Sequence, residues 1–176
     1  MKCAASLVLF VPLLLTSACS DLLAFPITAG VEEFTVPGDA DLNHQGVPLG
    51  ATAVPPVQVK MAALKKGTLH LTALRFFITD AGLESDRDED TLDFLTGVVV
   101  KMMPTTPGST LPSLKVASWK GPAAPEATSV EMVVETTADI RQYVQDGFEL
   151  RLDVSGIVPY DDVTLEGTMD LVVDPL

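Results

Sequence analysis

The sequence predicts an all-β fold, an antiparallel two-sheet β-sandwich with one short helix. The strongest periodicity in the chain is period two, which is typical of strands that have one face on a core and one in water. Several further apolar runs of strand length are bounded by Gly, Pro or charged residues. Because sequence alone leaves open whether such a sheet closes on itself, a small closed β-barrel is the alternative.

Alternation is clearest near the end of the chain. Apolar residues occupy every second position of 148–154 and nearly every second position of 163–173, with mostly polar residues between them. The segment 156–162, which contains Pro159 and two aspartates, is a turn. We therefore expect the two strands to be antiparallel neighbours in one sheet.

Five further strands are predicted, at 31–36, 69–79, 94–103, 114–119 and 129–135. Within the second of these, the apolar phase shifts near Ala73 and Leu74, which predicts a β-bulge. The stretch 38–56 is rich in Gly, Pro and Ala, which indicates a long loop or a loosely packed edge.

One helix is predicted in 137–147. Thr137 is placed to cap its first turn, and Gly147 stands where a left-handed residue would end it. Its apolar residues fall on one face: Ile140, Tyr143 and Val144.

The first residues of the chain have the order of a secretory signal peptide. Lys2 is followed by an apolar run over 7–15, three small residues and Cys19. A transmembrane helix needs about 20 apolar residues, whereas this run is shorter and contains Pro12. We expect residues 1–18 to be cleaved from the mature protein.

The sequence Leu15-Thr16-Ser17-Ala18-Cys19 resembles the lipobox of bacterial lipoproteins. The resemblance implies that Cys19 is acylated with palmitate-type chains and anchors the protein to a membrane. Ser20 indicates an outer membrane lipoprotein of the cell envelope, because lipoproteins kept at the inner membrane often carry Asp there. Thr16 replaces the usual aliphatic residue, so the alternative is ordinary cleavage after Ala18 and a secreted or periplasmic protein.

These features divide the chain into a signal peptide (1–18), a lipidated N-terminus and tether (19–30), and a single β-sandwich domain (31–176). Cys19 is the one cysteine of the mature chain, since Cys3 leaves with the signal, so no intrachain disulfide forms. About 157 residues follow Cys19, which is enough for a core that needs no such crosslink.

The chain is strongly acidic, with a formal net charge of -13. Binding of nucleic acid or of anionic lipid headgroups depends on Lys and Arg, so this charge argues against nucleic acid as a partner. It is compatible with cations and with basic partners.

The densest polar cluster is the acidic loop 84–93. Asp86, Asp88, Asp90 and Asp93 are the candidate ligands of a metal site, with calcium as the candidate cofactor, because Ca²⁺ takes six to eight oxygen ligands. The spacing fits the helix-loop-helix calcium loop poorly, since Thr91 stands where that loop has glycine. A solvated acidic loop is the competing interpretation.

Catalytic motifs are scarce in the sequence. It contains two histidines, no Gly-x-Ser-x-Gly and no His-Glu-x-x-His. We predict that the protein is not an enzyme, with a hydrolase as a weaker alternative.

Four segments, 34–38 (FTVPG), 93–95 (DFL), 140–144 (IRQYV) and 156–167 (GIVPYDDVTLEG), resemble a group of uncharacterised β-sandwich lipoproteins from Gram-negative bacteria. The group implies no activity to carry over. A shorter run, 74–83 (LRFFITDAGL), is similar to one strand of copper-associated periplasmic proteins of the methanobactin-partner type, and the likeness ends with that strand.

Two functions follow as hypotheses. The first is a non-catalytic, membrane-anchored module that binds an envelope protein or polysaccharide, which an exposed apolar or aromatic patch would support. The second is a calcium- or cation-binding envelope protein, which requires the carboxylates of the acidic loop to converge.

Overall fold

The structure is a computed structural model that describes residues 24–50, 54–60, 67–79 and 91–174. These residues form nine strands and two short helices, in the order β1 (Phe25–Val36), α1 (Ala40–His44), β2 (Val57–Lys60), β3 (Thr68–Ile78), β4 (Leu95–Pro104), β5 (Leu114–Lys120), β6 (Ser129–Glu131), β7 (Val133–Val134), α2 (Arg141–Asp146), β8 (Phe148–Gly156) and β9 (Val163–Asp174). All strand pairings are antiparallel. The predicted all-β class is confirmed.

The nine strands belong to one sheet, in the order β6-β3-β9-β1-β2-β8-β4-β5-β7. The two strands at its opposite edges, β6 and β7, are consecutive in the chain and are separated by Met132 alone. The sheet therefore curls until its edges meet in one segment. This nearly closed, barrel-like sheet matches the alternative predicted from the sequence, in place of two packed sheets.

Residues 128–140, here called the closing segment, contain β6 and β7 and bond to β3 on one side and to β5 on the other. Backbone hydrogen bonds extend the pairing of β6 with β3 at both ends: Ile78 to Thr128, Met132 to Leu74 and Ile140 to Leu69, each 2.9 Å from N to O. On the other side, β7 pairs with β5, and the Glu135 N–H donates to the Val116 carbonyl at 2.9 Å. The closing segment thus satisfies backbone groups that an open sheet would leave exposed.

Charged side chains flank the closing segment on both sides. Arg75 on β3 lies 3.6 Å from Glu131, and Lys115 on β5 lies 2.6 Å from Glu135. Hydrogen bonds from Lys115 and then Ser118 lower the pKa of the Glu135 carboxyl. These pairs are largely solvent-exposed, so each adds little to stability.

The interior is filled by alternate side chains of the long strands. In β8 and β9 the apolar positions of the predicted alternation are buried, which confirms the period-two pattern. Large side chains with almost no exposure include Phe76, Met102, Leu150 and Met169. The barrel is therefore a packed core.

The predicted bulge in β3 is confirmed. The register between β3 and β9 shifts between Leu71 and Ala73. The shift places Leu71 on the inside before it and Leu74 on the inside after it, with exposures of 4% and 0%. One extra residue thus keeps both apolar phases of the strand in the core.

The prediction that β8 and β9 are adjacent strands in the sheet is wrong. Between them in the sheet lie β1 and β2. β1 pairs with β9 from Phe25 to Val36, and β2, which was not predicted from the sequence, pairs with β8. Long-range pairing along the whole of β1 overrides the local tendency of consecutive strands to pair. It also places residues 25–30, assigned to the tether, within a strand.

The helix prediction is partly corrected. α2 begins at Arg141 rather than near Thr137, and the Asp139 carboxylate accepts a hydrogen bond from the Arg141 N–H. Gly147 follows the helix with a φ of 76°, as expected for a residue that ends it. The helix α1 lies in the stretch predicted to be a loop.

The barrel has two distinct ends. At the α1 end, Val36 pairs with Val163 and Leu95 with Gly156. The α2 end carries the start of β1 at Phe25 and the end of β9 at Asp174. The chain therefore enters the barrel at the α2 end and reaches the α1 end along β1.

We predict that Asp139 stabilises the closure of the sheet. Its Oδ1 accepts hydrogen bonds from the N–H groups of Leu69, on β3, and Arg141, at 2.9 and 3.0 Å. Asp139→Ala would leave both donors without this acceptor, and we expect a loss of about 2 kcal/mol in the free energy of unfolding at neutral pH. Urea unfolding measures the loss, with the exposed Glu126→Gln as the control that stays unchanged.

The same carboxylate predicts a pH dependence. Partial burial by itself would raise the pKa of Asp139, but the Leu69 and Arg141 N–H groups and the Arg141 guanidinium outweigh it and lower the pKa. The stabilisation is therefore present above the unfolded value of about 3.9 and is lost as the pH falls through the lower folded value. The difference in stability between wild type and Asp139→Ala should shrink below about pH 4; a constant difference would contradict the role of the charge.

Candidate functional site

Exposed apolar side chains gather at the α1 end of the barrel. Leu42, Ile157 and Tyr160 are 39%, 40% and 55% exposed. With His44 they form the surface that we call the end patch. Phe25 and Val133 are also exposed but stand singly elsewhere, as is ordinary for a protein surface.

The short helix α1 supplies Leu42 and His44. Asp39 caps it, and its Oδ1 accepts hydrogen bonds from the N–H groups of Asp41 and Leu42 at 2.9 and 3.0 Å. A helix of five residues is too short to be stable by itself. Its position must therefore come from contacts with the rest of the barrel.

Those contacts are made with residues 157–162, the connection between β8 and β9. The side-chain amide of Asn43 donates to the Val158 carbonyl at 2.8 Å, and the Asp39 N–H donates to the Pro159 carbonyl at 3.0 Å. The ring of His44 packs edge to face against Tyr160, with centroids 5.6 Å apart. Helix α1 and the connection 157–162 are therefore bonded to each other, and together they form the end patch.

Gly38 allows the two segments to approach each other. A Cβ at this position would lie 1.9 Å from the carbonyl oxygen of Asp161, far inside van der Waals contact. The Gly38 N–H donates to Asp162 Oδ1 at 2.8 Å. Any larger residue would push the connection away from the chain that leads into α1.

Carboxylates border the end patch. Asp39, Asp41 and Asp162 are exposed, and Asp161 is half-buried. Neither 37–50 nor 156–162 contains Lys or Arg. The surface therefore combines an apolar and aromatic centre with a negative border.

A small apolar space lies in the interior near the α1 end. It is lined by side chains such as Phe34, Phe76, Leu92 and Leu152, and has a volume of about 10 Å³. A space of this size has room for about one water molecule, which would need polar partners. As bounded by these side chains, the space is a packing gap rather than a ligand pocket.

Most of the site residues predicted from the sequence lie in parts of the chain that the structure does not describe. Cys19, Asp86, Asp88 and Asp90 lie outside the described residues, and Asp93 is exposed just before β4. In the described ranges, no three His, Cys, Asp or Glu side chains come together to hold a metal ion. The calcium site stays a prediction.

The two histidines do not share a site. His44 belongs to the end patch, whereas His70 on β3 lies 3.7 Å from Asp174 at the α2 end. The two histidines therefore lie at opposite ends of the barrel.

The sequence analysis missed the end patch because it lies in segments interpreted as a loop and a turn. Asp39 followed by Leu42, with Gly46 beyond, was an available signal for a short capped helix. The pairing of that helix with residues 157–162 had no local signal, since Asn43 and Val158 are 115 positions apart.

Known proteins supply no functional assignment for the end patch. No protein-family model matches the chain, and a search of curated proteins finds no match to it. Among the described residues, no helix is both long enough and apolar enough to cross a membrane.

We predict that Gly38→Ala disrupts the end patch. The added methyl group must displace the Asp161 backbone, and overpacking of this kind costs about 1–3 kcal/mol. The melting temperature should fall by roughly 2–4 °C for each kcal/mol. Gly30→Ala is the matched control, because its Cβ would have nothing within 4 Å; an equal loss in both variants would contradict the close approach at Gly38.

The calcium hypothesis predicts a thermal shift. Calcium at ~100 times its dissociation constant would add about 2.7 kcal/mol, which raises the melting temperature by several degrees. The rise should disappear with chelator and in the double variant Asp88→Ala with Asp90→Ala. An unchanged melting temperature would leave the solvated-loop interpretation.

Proposed function

We propose that the protein is a non-catalytic envelope lipoprotein, anchored through Cys19, that uses its end patch to bind another envelope component. The observation that carries the proposal is the exposed group of Leu42, Ile157 and Tyr160 at the end of the barrel opposite the entry of the chain. Aromatic and aliphatic side chains grouped in this way supply the contact area on which protein recognition depends.

The direction of β1 supports a membrane-distal position for the patch. Five residues separate Cys19 from Phe25, and the six Cα-to-Cα steps between the two reach about 20 Å at most. From Phe25, the 12 residues of β1 run toward the α1 end, about 35 Å along the strand. A lipid on Cys19 would hold the α2 end near the membrane and turn the end patch away from it.

The construction of the patch also favours binding. The hydrogen bonds of Asp39 and Asn43 fix α1, and His44 packs against Tyr160. A surface held in one geometry loses little side-chain freedom when a partner arrives, so more of the contact energy appears as affinity. The proposed setting is the outer membrane, with a periplasmic protein as the form expected from ordinary cleavage after Ala18.

Cell fractionation tests the anchor. The wild-type protein should sediment with membranes, and Cys19→Ser should move it to the soluble fraction because the acylated thiol is lost. Mass spectrometry of the wild-type N-terminal peptide should find the acyl chains on Cys19. An unmodified Cys19 would exclude the lipoprotein part of the proposal.

Crosslinking in intact cells tests the patch. A photoreactive residue in place of Leu42 should form a discrete adduct that is lost when Tyr160→Ala is added. The control position is Gln142, which is exposed on α2 at the opposite end. Adducts of equal yield from both positions, or none from Leu42, would refute binding through the end patch.

A further inference from the structure

The electrostatic character of the end patch narrows the chemistry of its partner. Its apolar centre is bordered by Asp39, Asp41, Asp161 and Asp162, on segments without Lys or Arg. The whole chain has a formal net charge of -13, so the wider field has the same sign as this border. A partner with cationic groups would be attracted over a distance and then held at the border.

We propose that the end patch binds a cationic segment of an envelope protein, in which Lys or Arg side chains alternate with aliphatic ones. This inference rests on the proposed function and specifies the class of its partner. The aliphatic side chains would cover Leu42, Ile157 and Tyr160, and the cations would face the aspartates. Polyanions such as nucleic acid or acidic glycans would meet repulsion from the same border.

Two of the exposed aspartates, Asp39 and Asp162, are oriented by hydrogen bonds to the backbone. Asp39 and Asp162 each use Oδ1 in a hydrogen bond to the backbone, and a carboxylate has a second oxygen with its own acceptor sites. Their side chains are thus oriented before a partner binds. Ordered acceptors of this kind give specificity for the pattern of charges as well as for their sign.

Short fluorescent peptides provide the test, with the purified full chain as the receptor. The first peptide alternates lysine and leucine, the second has glutamate for each lysine, and the third has serine for each leucine. The lysine-leucine peptide should bind, and its dissociation constant should increase as salt screens the charges. The other two peptides should bind at least about tenfold more weakly, because each lacks one half of the match.

Variants of the protein locate the binding. Tyr160→Ala removes the largest aromatic contact, and Asp39→Asn with Asp162→Asn removes two charges while an asparagine keeps the helix cap. Each should weaken binding of the lysine-leucine peptide by about tenfold. Glu149→Gln with Asp174→Asn removes the same charge from the α2 end and should leave the affinity within about twofold.

Several results would overturn the inference. Equal weakening by the two charge-removing pairs would mean attraction by net charge alone, and equal binding of the glutamate peptide would exclude a cationic partner. If the lysine-leucine peptide does not bind while the Leu42 adduct persists in cells, the proposed function stands and the partner has another chemistry, such as a neutral polysaccharide. Loss of both signals would remove the proposed function as well.

Discussion

The structure depends on the hydrogen bonds that the closing segment makes to two strands, β3 and β5. The other seven strands form a curved sheet whose two edges are β3 and β5, and residues 128–140 bond to both of these strands. Backbone hydrogen bonds join Thr128, Met132 and Ile140 to β3, and β7 pairs with β5, all within this one segment. Because edge strands expose unpaired donors and acceptors, this single stretch determines that the sheet curls into a barrel.

Closure of the sheet into a barrel creates one interior for the core and leaves the strands ending at two opposite ends of the barrel. With the edges joined, every long strand has one face inside, and the bulge in β3 keeps its apolar residues there after the register shift. The strands then begin and end in two groups. One group receives the incoming chain at Phe25, and the other supports α1 and the connection 157–162. The end patch exists because β1 and β2 lie between β9 and β8, so the connection that follows β1 runs beside the connection from β8 to β9.

Sequence reasoning succeeded where the signal was local. The period-two patterns of β8 and β9, the bulge near Ala73 and the role of Gly147 each follow from a few adjacent residues. It failed where pairing is non-local, as in the insertion of β1 and β2 between β8 and β9. The end patch was missed for the same reason. Helix α1 and the connection 157–162 form one surface only through contacts between residues more than a hundred positions apart.

The closing segment also determines how the barrel can come apart. β6 and β7 contribute three and two residues to the sheet, the smallest strands among those described. Local opening in proteins starts where few interactions hold an element. Detachment of this one stretch would uncover β3 and β5 together, two neighbouring rows of unpaired backbone groups on the same molecule. Exposed strand edges of this kind are templates for strand addition from another chain. The tendency of this protein to aggregate therefore depends on how long the closing segment stays bound to β3 and β5.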